Sequence, residues 1–337
     1  MSLENLMSNL PPFVWVEIGR RPGKYALNAI SINKELFPEQ ERFLIVSKQY
    51  ESHIPKDLCP VIFEEELKKS TNYTDFNALE KQWSYSHKSY WQNTTKRFFV
   101  IENFMVKFGY KKIIHLESDC LLLTTDYLRE LFSEDDWGIK YTKQVDGAGC
   151  ASILVVNKVQ ALQEFNSYVL RNWQKQDATD MTLLGNYALD KKDANYLPSG
   201  DEVNSKIVFD AVTIGRYFLG TDARHNWIPV SSRGRITSEK GAFWPNKFKV
   251  GKIKDGLFLI DAKDENNNLK LGCIHVHSKR IPKRYQKLIN RLIRESNSNR
   301  GWFWRLGRLD FTVVSERILS KLSKAIPWIT NSDVRLR

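Results

Sequence analysis

The sequence predicts an α/β fold in which a mixed, Rossmann-like sheet is flanked by helices. Short apolar runs alternate with helical patterns in the first half of the chain, and a hairpin pattern follows in the second. The chain has 337 residues, of which 42% are hydrophobic and 12% aromatic, so it can bury a large core. We expect one catalytic-size domain over residues 11–280 and a basic helical extension over residues 281–337.

The elements follow from the local pattern of apolar residues and the breakers that end them. The predicted strands are short apolar runs at Phe13–Gly19, Arg42–Ser47, Pro60–Phe63, Trp137–Tyr141 and Ala151–Val156, together with a strand at Ile113 that runs into an acidic pair. The predicted helices have apolar residues at helical spacing and lie at Tyr25–Phe37, Arg97–Phe108 and Val159–Trp173. The segment Phe248–Leu271 is typical of hairpin strands with an Asn-rich turn.

The positive charge is concentrated at one end of the chain. Residues 279–337 contain 15 Lys and Arg against 4 Asp and Glu, a net charge of +11, which leaves +1 of the total of +12 for residues 1–278. A nearly neutral first part argues against a catalytic core that holds nucleic acid. Nucleic acid is therefore not an expected partner.

Cysteine usage and hydropathy indicate a cytoplasmic protein. The cysteines are far apart and lack metal-ligand spacing, which favours buried, reduced thiols; they are Cys59, Cys120, Cys150 and Cys273. No early run resembles a signal peptide, and no apolar run reaches the roughly 18 residues that a membrane span needs. We therefore expect a cytoplasmic location.

An acidic pair follows the apolar run at Ile113. Glu117 and Asp119 stand one residue apart just beyond the predicted strand, after which the chain is apolar again. Two such carboxylates are costly to desolvate unless a cation lies beside them. Mg²⁺ or Mn²⁺ binds carboxylate and diphosphate oxygens at the same time, which is the chemistry of nucleotide-sugar transfer. A solvated acidic turn is the alternative interpretation.

Two histidines late in the chain complete the pattern. His275 and His277 alternate with apolar residues, so on a strand both imidazoles lie on one face. Histidine is a common ligand of divalent metals, and Lys279 follows at a spacing that suits a diphosphate oxygen. The alternative is a polar strand edge with ordinary histidines.

Together these motifs resemble the metal-dependent glycosyltransferases with the A-type fold, over about residues 11–280. The resemblance implies that Asp119 and His277 bind the metal, with His275 as the alternative ligand. Glu117 stands where many members have Asp, and the resemblance places it near the donor ribose or a metal-bound water. Lys279 would meet the diphosphate.

The same resemblance implies that the loop after the first strand contacts the nucleotide. That loop contains Glu17, Ile18, Gly19 and Arg20, and Arg97 on the helix before the acidic pair would approach the donor. A solvated turn is the alternative for the loop, and a surface arginine is the alternative for Arg97.

An inverting enzyme needs a carboxylate base near the acceptor hydroxyl. The candidates are Asp180, Asp201, Glu202 and Asp210. Asp210 ranks first because it lies between apolar residues, where a carboxylate needs a partner, whereas Asp180 has helix capping as its alternative role. A retaining enzyme needs no such base, and the sequence does not separate the two outcomes.

These observations predict a glycosyltransferase that uses Mn²⁺ or Mg²⁺ and moves a sugar from a nucleotide donor, with UDP as the guessed nucleotide, to a glycan or lipid-linked acceptor. The alternatives are a sugar-phosphate nucleotidyltransferase, for which Gly19–Gly23 is a poor phosphate loop, and a non-catalytic carbohydrate-binding or membrane-associated protein of the same fold. The aromatic run Trp83–Trp91 suits a sugar platform, a lid or core packing.

The extension over residues 281–337 has the composition of a membrane-surface anchor. It combines basic amphipathic helical patterns with Trp302, Phe303 and Trp304, which favours binding in the plane of an anionic membrane. The alternative interpretation is a helical appendage that packs on the domain or on another subunit, and nucleic-acid binding is a third option for this extension.

We expect removal of Asn297–Arg337 to lower binding to anionic vesicles while transfer to a soluble acceptor continues. Each Lys or Arg near the surface contributes about 1 kcal/mol, and salt weakens the attraction. Vesicle sedimentation at rising ionic strength measures this, with light scattering alongside. Truncation that unfolds the protein or changes its oligomeric mass would instead indicate a packing role.

Overall fold

The computed structural model describes residues 10–80, 88–132, 138–144, 147–174, 178–191, 195–199, 206–212, 214–215, 248–253, 256–261 and 268–276. Its strands are β1 (Phe13–Glu17), β2 (Arg42–Val46), β3 (Val61–Phe63), β4 (Ile113–Leu116), β5 (Cys120–Leu122), β6 (Ile139–Lys143), β7 (Gly149–Val156), β8 (Asn195–Tyr196), β9 (Ile207–Phe209), β10 (Phe248–Ile253), β11 (Gly256–Asp261) and β12 (Asn268–His275). Its α-helices are α1 (Lys24–Leu36), α2 (Thr71–Glu80), α3 (Lys88–Phe108), α4 (Asp126–Leu131), α5 (Val159–Asn172) and α6 (Asp180–Asp190).

The larger sheet has the order β3-β2-β1-β4-β7-β6-β8. The first four of these strands are parallel, whereas β7 runs antiparallel to β4 and to β6. The predicted mixed sheet flanked by helices is confirmed. The apolar pattern of β7 does not reveal its antiparallel direction, because only pairing partners fix strand direction.

A smaller sheet has the order β10-β11-β12-β5, and β9 pairs with β12 in parallel. The predicted hairpin strands are confirmed as the antiparallel set β10, β11 and β12. Strand β12 then runs antiparallel to β5 with His275 opposite Cys120. The end of β12 therefore lies beside the segment that carries the acidic pair.

The central strands are buried on both faces, as expected for strands covered by helices. Val14 belongs to one apolar cluster with Phe98 and Phe104 of α3, whereas its neighbours Phe13 and Trp15 belong to a second cluster with Ile30 of α1. Successive side chains of β1 therefore pack into two different apolar clusters, and α1 and α3 cover opposite faces of the sheet.

The helix and strand predictions differ from the structure mainly at their ends. The helix predicted from Arg97 begins at Lys88, and it ends before Gly109, whose φ of 71° is the left-handed conformation that stops a helix. Cys120, Cys150 and Cys273 are buried free thiols and Cys59 is half-buried. None of the described helices has the length and apolar character needed to cross a membrane.

We expect Gly185→Ala to destabilise the protein by about 1–3 kcal/mol because the added methyl group overpacks a helix–sheet contact. A Cβ at this position of α6 would lie 2.7 Å from the carbonyl oxygen of Gly147 and 3.0 Å from Cα of Ala148. Helix propensity alone predicts the opposite sign, a gain of about 1 kcal/mol.

Urea unfolding measures this difference, and Asn186→Ala on the exposed side of the same helix is the matched control. The control should be neutral or slightly stabilising. If Gly185→Ala stabilises the protein as much as the control does, then α6 does not pack closely on the backbone at Gly147 and Ala148.

Candidate active site

Several predicted site residues that the structure describes lie at the carboxyl ends of β1 and β4. Strand order β2-β1-β4, with α1 and α3 on opposite faces, makes the gap between β1 and β4 a topological switch point of the sheet. Ligands of open α/β sheets bind in the crevice outside such a point. Glu117 follows β4 directly, so the sequence-based placement of the acidic pair agrees with the structure.

Arg97 is the cation at the base of this crevice. One guanidinium nitrogen donates to Oε1 of Glu117, and the other lies 2.6 Å from Oδ2 of Asp180. Burial alone would lower the pKa of Arg97, but the two carboxylates outweigh it and raise the pKa. Arg97 is therefore a buried, charged link between α3, β4 and α6, and the surface interpretation is excluded.

His275 closes the crevice from the smaller sheet. Its Nε2 lies 3.4 Å from Oε2 of Glu117 and 3.3 Å from Oδ1 of Asp119. The backbone N–H of Val276 donates to the carbonyl oxygen of Asp119 at 2.6 Å, which joins the strand end to the acidic pair. Burial lowers the pKa of His275, but the charge and hydrogen bond of Asp119, helped by Cys150, raise it, with a net shift well upward.

The back of the His275 ring faces a different set of atoms. Nδ1 contacts the carbonyl oxygen of Ala211, and Sγ of Cys150 lies 3.8 Å from Nδ1 and donates to the same carbonyl at 3.2 Å. The charged ring donates from Nδ1 to this carbonyl and from Nε2 toward the carboxylates. Loss of the Nε2 proton, with Nδ1 still donating, would leave Nε2 as the atom that binds a metal. The sequence offered no signal for Cys150, because no motif surrounds it.

Two groupings of donor atoms could hold a cation. Glu117, Cys150 and His275 each offer one atom within 4.8 Å of the others. Glu117 and Asp119 both meet Nε2 of His275 from the front. The second grouping fits Mn²⁺ or Mg²⁺ better, since carboxylates suit hard cations and the Cys150 thiol is engaged behind the ring.

The loop after β1 lies at the other wall of the crevice. Gly19 has a φ of 70° and its N–H donates to Oγ of Ser47 at 3.3 Å. Nε of Arg20 lies 3.3 Å from the buried Oε2 of Glu17, although the Arg20 side chain is 45% exposed. Burial and the charge of Glu17 raise the pKa of Tyr25, which hydrogen-bonds Ser118 beside the acidic pair.

The structure gives both described base candidates other contacts. Asp180 is buried against Arg97, and burial raises its pKa; Thr179, not Asp180, is the N-cap of α6. Asp210 is buried, and its carboxylate accepts backbone N–H groups from Ile214, Gly215 and His275. The described contacts therefore give both buried carboxylates structural partners, and their role in proton transfer stays a prediction.

Several predicted site residues lie outside the described residues. They are Asp201, Glu202, His277, Lys279, part of the aromatic run at 83–91 and the whole extension over 281–337.

Tyr90 of the aromatic run is described, is 39% exposed and packs edge-on against Trp91. Burial and the charges of Asp180, Glu117 and Asp119 raise the pKa of Tyr90 to about 12, which places it beside the crevice.

Comparison with solved structures finds glycosyltransferases. The bifunctional glycosyltransferase WbbM in its apo form matches with 12% identity and a TM-score of 0.38 over 57% of this chain and 39% of WbbM. LgtC, a galactosyltransferase in complex with donor and acceptor sugar analogs, matches with 15% identity and a TM-score of 0.37 over 68% of this chain and 84% of LgtC. GlyE of Streptococcus pneumoniae TIGR4 matches with 12% identity and a TM-score of 0.41 over 94% of this chain and 64% of GlyE.

This chain therefore spans about two fifths of WbbM and just under two thirds of GlyE. At these identities and TM-scores the neighbours do not define the activity of this chain. No family model matches the sequence, and no curated protein matches it.

We expect Arg97→Met to destabilise the protein by about 3–5 kcal/mol, since it leaves Glu117 and Asp180 as buried carboxylates without their cation. Adding Asp180→Asn to Arg97→Met should cost less than the sum of the two single changes, because it removes one of the charges left behind. Denaturant unfolding of the four proteins gives the coupling.

Arg129→Met on the exposed side of α4 is the matched control and should change stability by less than about 0.5 kcal/mol. Strict additivity of Arg97→Met and Asp180→Asn would show that the ion pair does not exist in solution.

Proposed function

We propose that this protein is a metal-dependent glycosyltransferase that moves a sugar from a nucleotide donor to a glycan or lipid-linked acceptor. One observation carries the proposal: Glu117, Asp119 and His275, from two different sheets, converge on one point at the switch point of the larger sheet. Carboxylates and an imidazole at a sheet edge suit a divalent cation together with a diphosphate.

Asp119 and His275 would hold the cation, with Glu117 beside them. Mn²⁺ or Mg²⁺ bound there supplies charge that neutralises the diphosphate leaving group. Glu117 is held by Arg97 through one oxygen and faces His275 through the other, so its position is fixed before a substrate arrives. His277 and Lys279 remain predicted ligands of the metal and the diphosphate.

The nucleotide would lie along the loop after β1. Gly19 gives this loop its sharp turn, and a Cβ at Gly19 would lie 2.4 Å from the side-chain amide nitrogen of Asn93. The half-exposed side chain of Arg20 is paired with the buried carboxylate of Glu17, and its guanidinium could bind an anionic group of the donor. UDP as the nucleotide, the cytoplasmic location and the membrane contact of the extension are parts of this proposal.

The donor sugar would face Arg97, Asp180 and Tyr90 on the α3 side of the crevice. The pairing of Arg97 with Asp180 fixes both polar groups in a buried position. Tyr90 presents a partly exposed ring at the same rim, and aromatic rings suit the apolar faces of sugars. These residues bind and orient the donor while burial excludes water from the reacting bond.

We expect Asp119→Asn to lower nucleotide release from the accepted donor by more than about 100-fold, because even partners outside the ligand shell are worth 10–100-fold in metal sites. The wild-type protein should bind a nucleoside diphosphate far more tightly with Mn²⁺ or Mg²⁺ than with a chelator. A panel of nucleotide sugars with Mn²⁺ identifies the donor, and calorimetry measures the binding.

Asp75→Ala, an exposed carboxylate of α2, is the control and should retain full activity. Equal nucleotide affinity with metal and with chelator would contradict the metal assignment. Release of pyrophosphate from a nucleoside triphosphate and a sugar phosphate would support the nucleotidyltransferase, and no nucleotide binding at all would support a non-catalytic protein.

A further inference from the structure

The carboxylate of Asp210 gathers three backbone donors around His275. Its Oδ2 accepts the N–H of His275 at 3.0 Å and that of Gly215 at 2.7 Å, and its Oδ1 accepts the N–H of Ile214 at 3.0 Å. Asp210 is buried, so these bonds replace its hydration and define its place. The carboxylate ties the turn at 210–215 to the last residue of β12.

The backbone next to this carboxylate holds the ring of the same histidine. The carbonyl oxygen of Ala211 is the partner of His275 Nδ1. The carbonyl oxygen of Asp210 accepts from Oγ of Ser152 on β7 at 3.0 Å, which anchors the turn to the larger sheet. The turn therefore fixes His275 twice, through its backbone N–H and through its ring.

Close packing around Gly215 makes this arrangement tight. A Cβ at Gly215 would lie 1.7 Å from the carbonyl oxygen of His275 and 3.1 Å from Oδ2 of Asp210. No side chain fits there without displacing the strand end, so glycine allows the turn to press directly on His275.

We propose that Asp210 is a positioning residue that directs Nε2 of His275 at Glu117 and Asp119, and that it is not the catalytic base. The inference rests on the proposed function, because it assumes that His275 binds the divalent cation. A carboxylate can accept three N–H bonds, whereas an amide at the same place has one accepting oxygen and turns an NH₂ group toward donors. Asp210→Asn should therefore lose at least one of the three bonds and loosen the hold on His275 without changing the size of the side chain.

The test measures Mn²⁺ affinity of the full chain by calorimetry or by the loss of the free-ion paramagnetic resonance signal. We expect Asp210→Asn to weaken Mn²⁺ binding by about 10–100-fold, as for other partners that orient metal ligands. Asp126→Asn is the matched control: Asp126 pairs with Lys270 at the opposite end of β12, at 2.6 Å, and lies outside the site. The control should leave Mn²⁺ affinity unchanged.

The same substitution made in a His275→Ala protein distinguishes a positioning role of Asp210 from a general loss of structure. If Asp210 acts through His275, Asp210→Asn should cause no further loss of Mn²⁺ affinity in a His275→Ala protein. A loss of equal size in both backgrounds would overturn the inference. Should Asp210→Asn fail to fold, Ser152→Ala removes the bond to the Asp210 carbonyl, together with the contact of Oγ with Oγ1 of Thr142, and should weaken Mn²⁺ binding several-fold, again only when His275 is present.

The outcomes for the inference and for the proposed function differ. A wild-type protein that binds no Mn²⁺ overturns the metal assignment and, with it, this role of Asp210. Wild-type Mn²⁺ binding that survives both Asp210→Asn and Ser152→Ala overturns the positioning role alone and leaves the proposed function in place.

Discussion

The buried guanidinium of Arg97 is the interaction on which the site depends. Taking a cation and two carboxylates out of water costs several kcal/mol per ion, and only close pairing offsets that cost. Arg97 pairs with Glu117 after β4 and with Asp180 at the start of α6, so three elements far apart in sequence meet at one charge. Without this cation, Glu117 and Asp180 would repel each other in a medium of low dielectric constant. The ion cluster thereby sets where α6 begins and where the first acidic residue points.

The second half of the chain supplies the histidine that faces the acidic pair of the larger sheet. Strand β12 runs antiparallel to β5, the strand that directly follows Asp119, and this register brings His275 to the acidic pair. The turn at Asp210 and the thiol of Cys150 support the histidine from behind. The larger sheet therefore provides the carboxylates, and the smaller sheet provides the imidazole.

Local patterns predicted the parts of the fold that local physics determines. Strands such as β1 and helices such as α5 follow from apolar periodicity, and Glu117 could be placed at a strand end because a polar pair cannot continue a buried strand. Strand direction was less accessible: β7 has the same apolar composition whether it pairs parallel or antiparallel. The start of α3 at Lys88 was missed because its first turns have no apolar stripe.

The site residues show the same difference between features that are visible in the local sequence and features that depend on distant partners. The acidic pair was visible because its charge contrasts with the strand before it. Arg97 and Asp210 were visible as residues, but their roles depend on partners that the sequence does not reveal. Asp210 between two apolar neighbours correctly indicated a carboxylate in need of partners, and the partners are backbone N–H groups. Cys150 had no signal, since its only distinction is its position behind the ring of His275.

The two sides of the His275 ring also bear on which cation the site would select. On the Nε2 side lie two carboxylates, and on the Nδ1 side lie a carbonyl oxygen and a thiol. Soft thiolate ligands favour zinc, whereas carboxylates favour magnesium and manganese, and a single imidazole shifts the preference toward the transition metal. Because the Cys150 thiol donates to the Ala211 carbonyl behind the ring, a cation in front of the ring would meet carboxylate oxygens and Nε2 before the sulfur. Oxygen and nitrogen donors in front of the ring are compatible with the proposed Mn²⁺ or Mg²⁺, and the orientation of one imidazole sets which donors a cation there would meet.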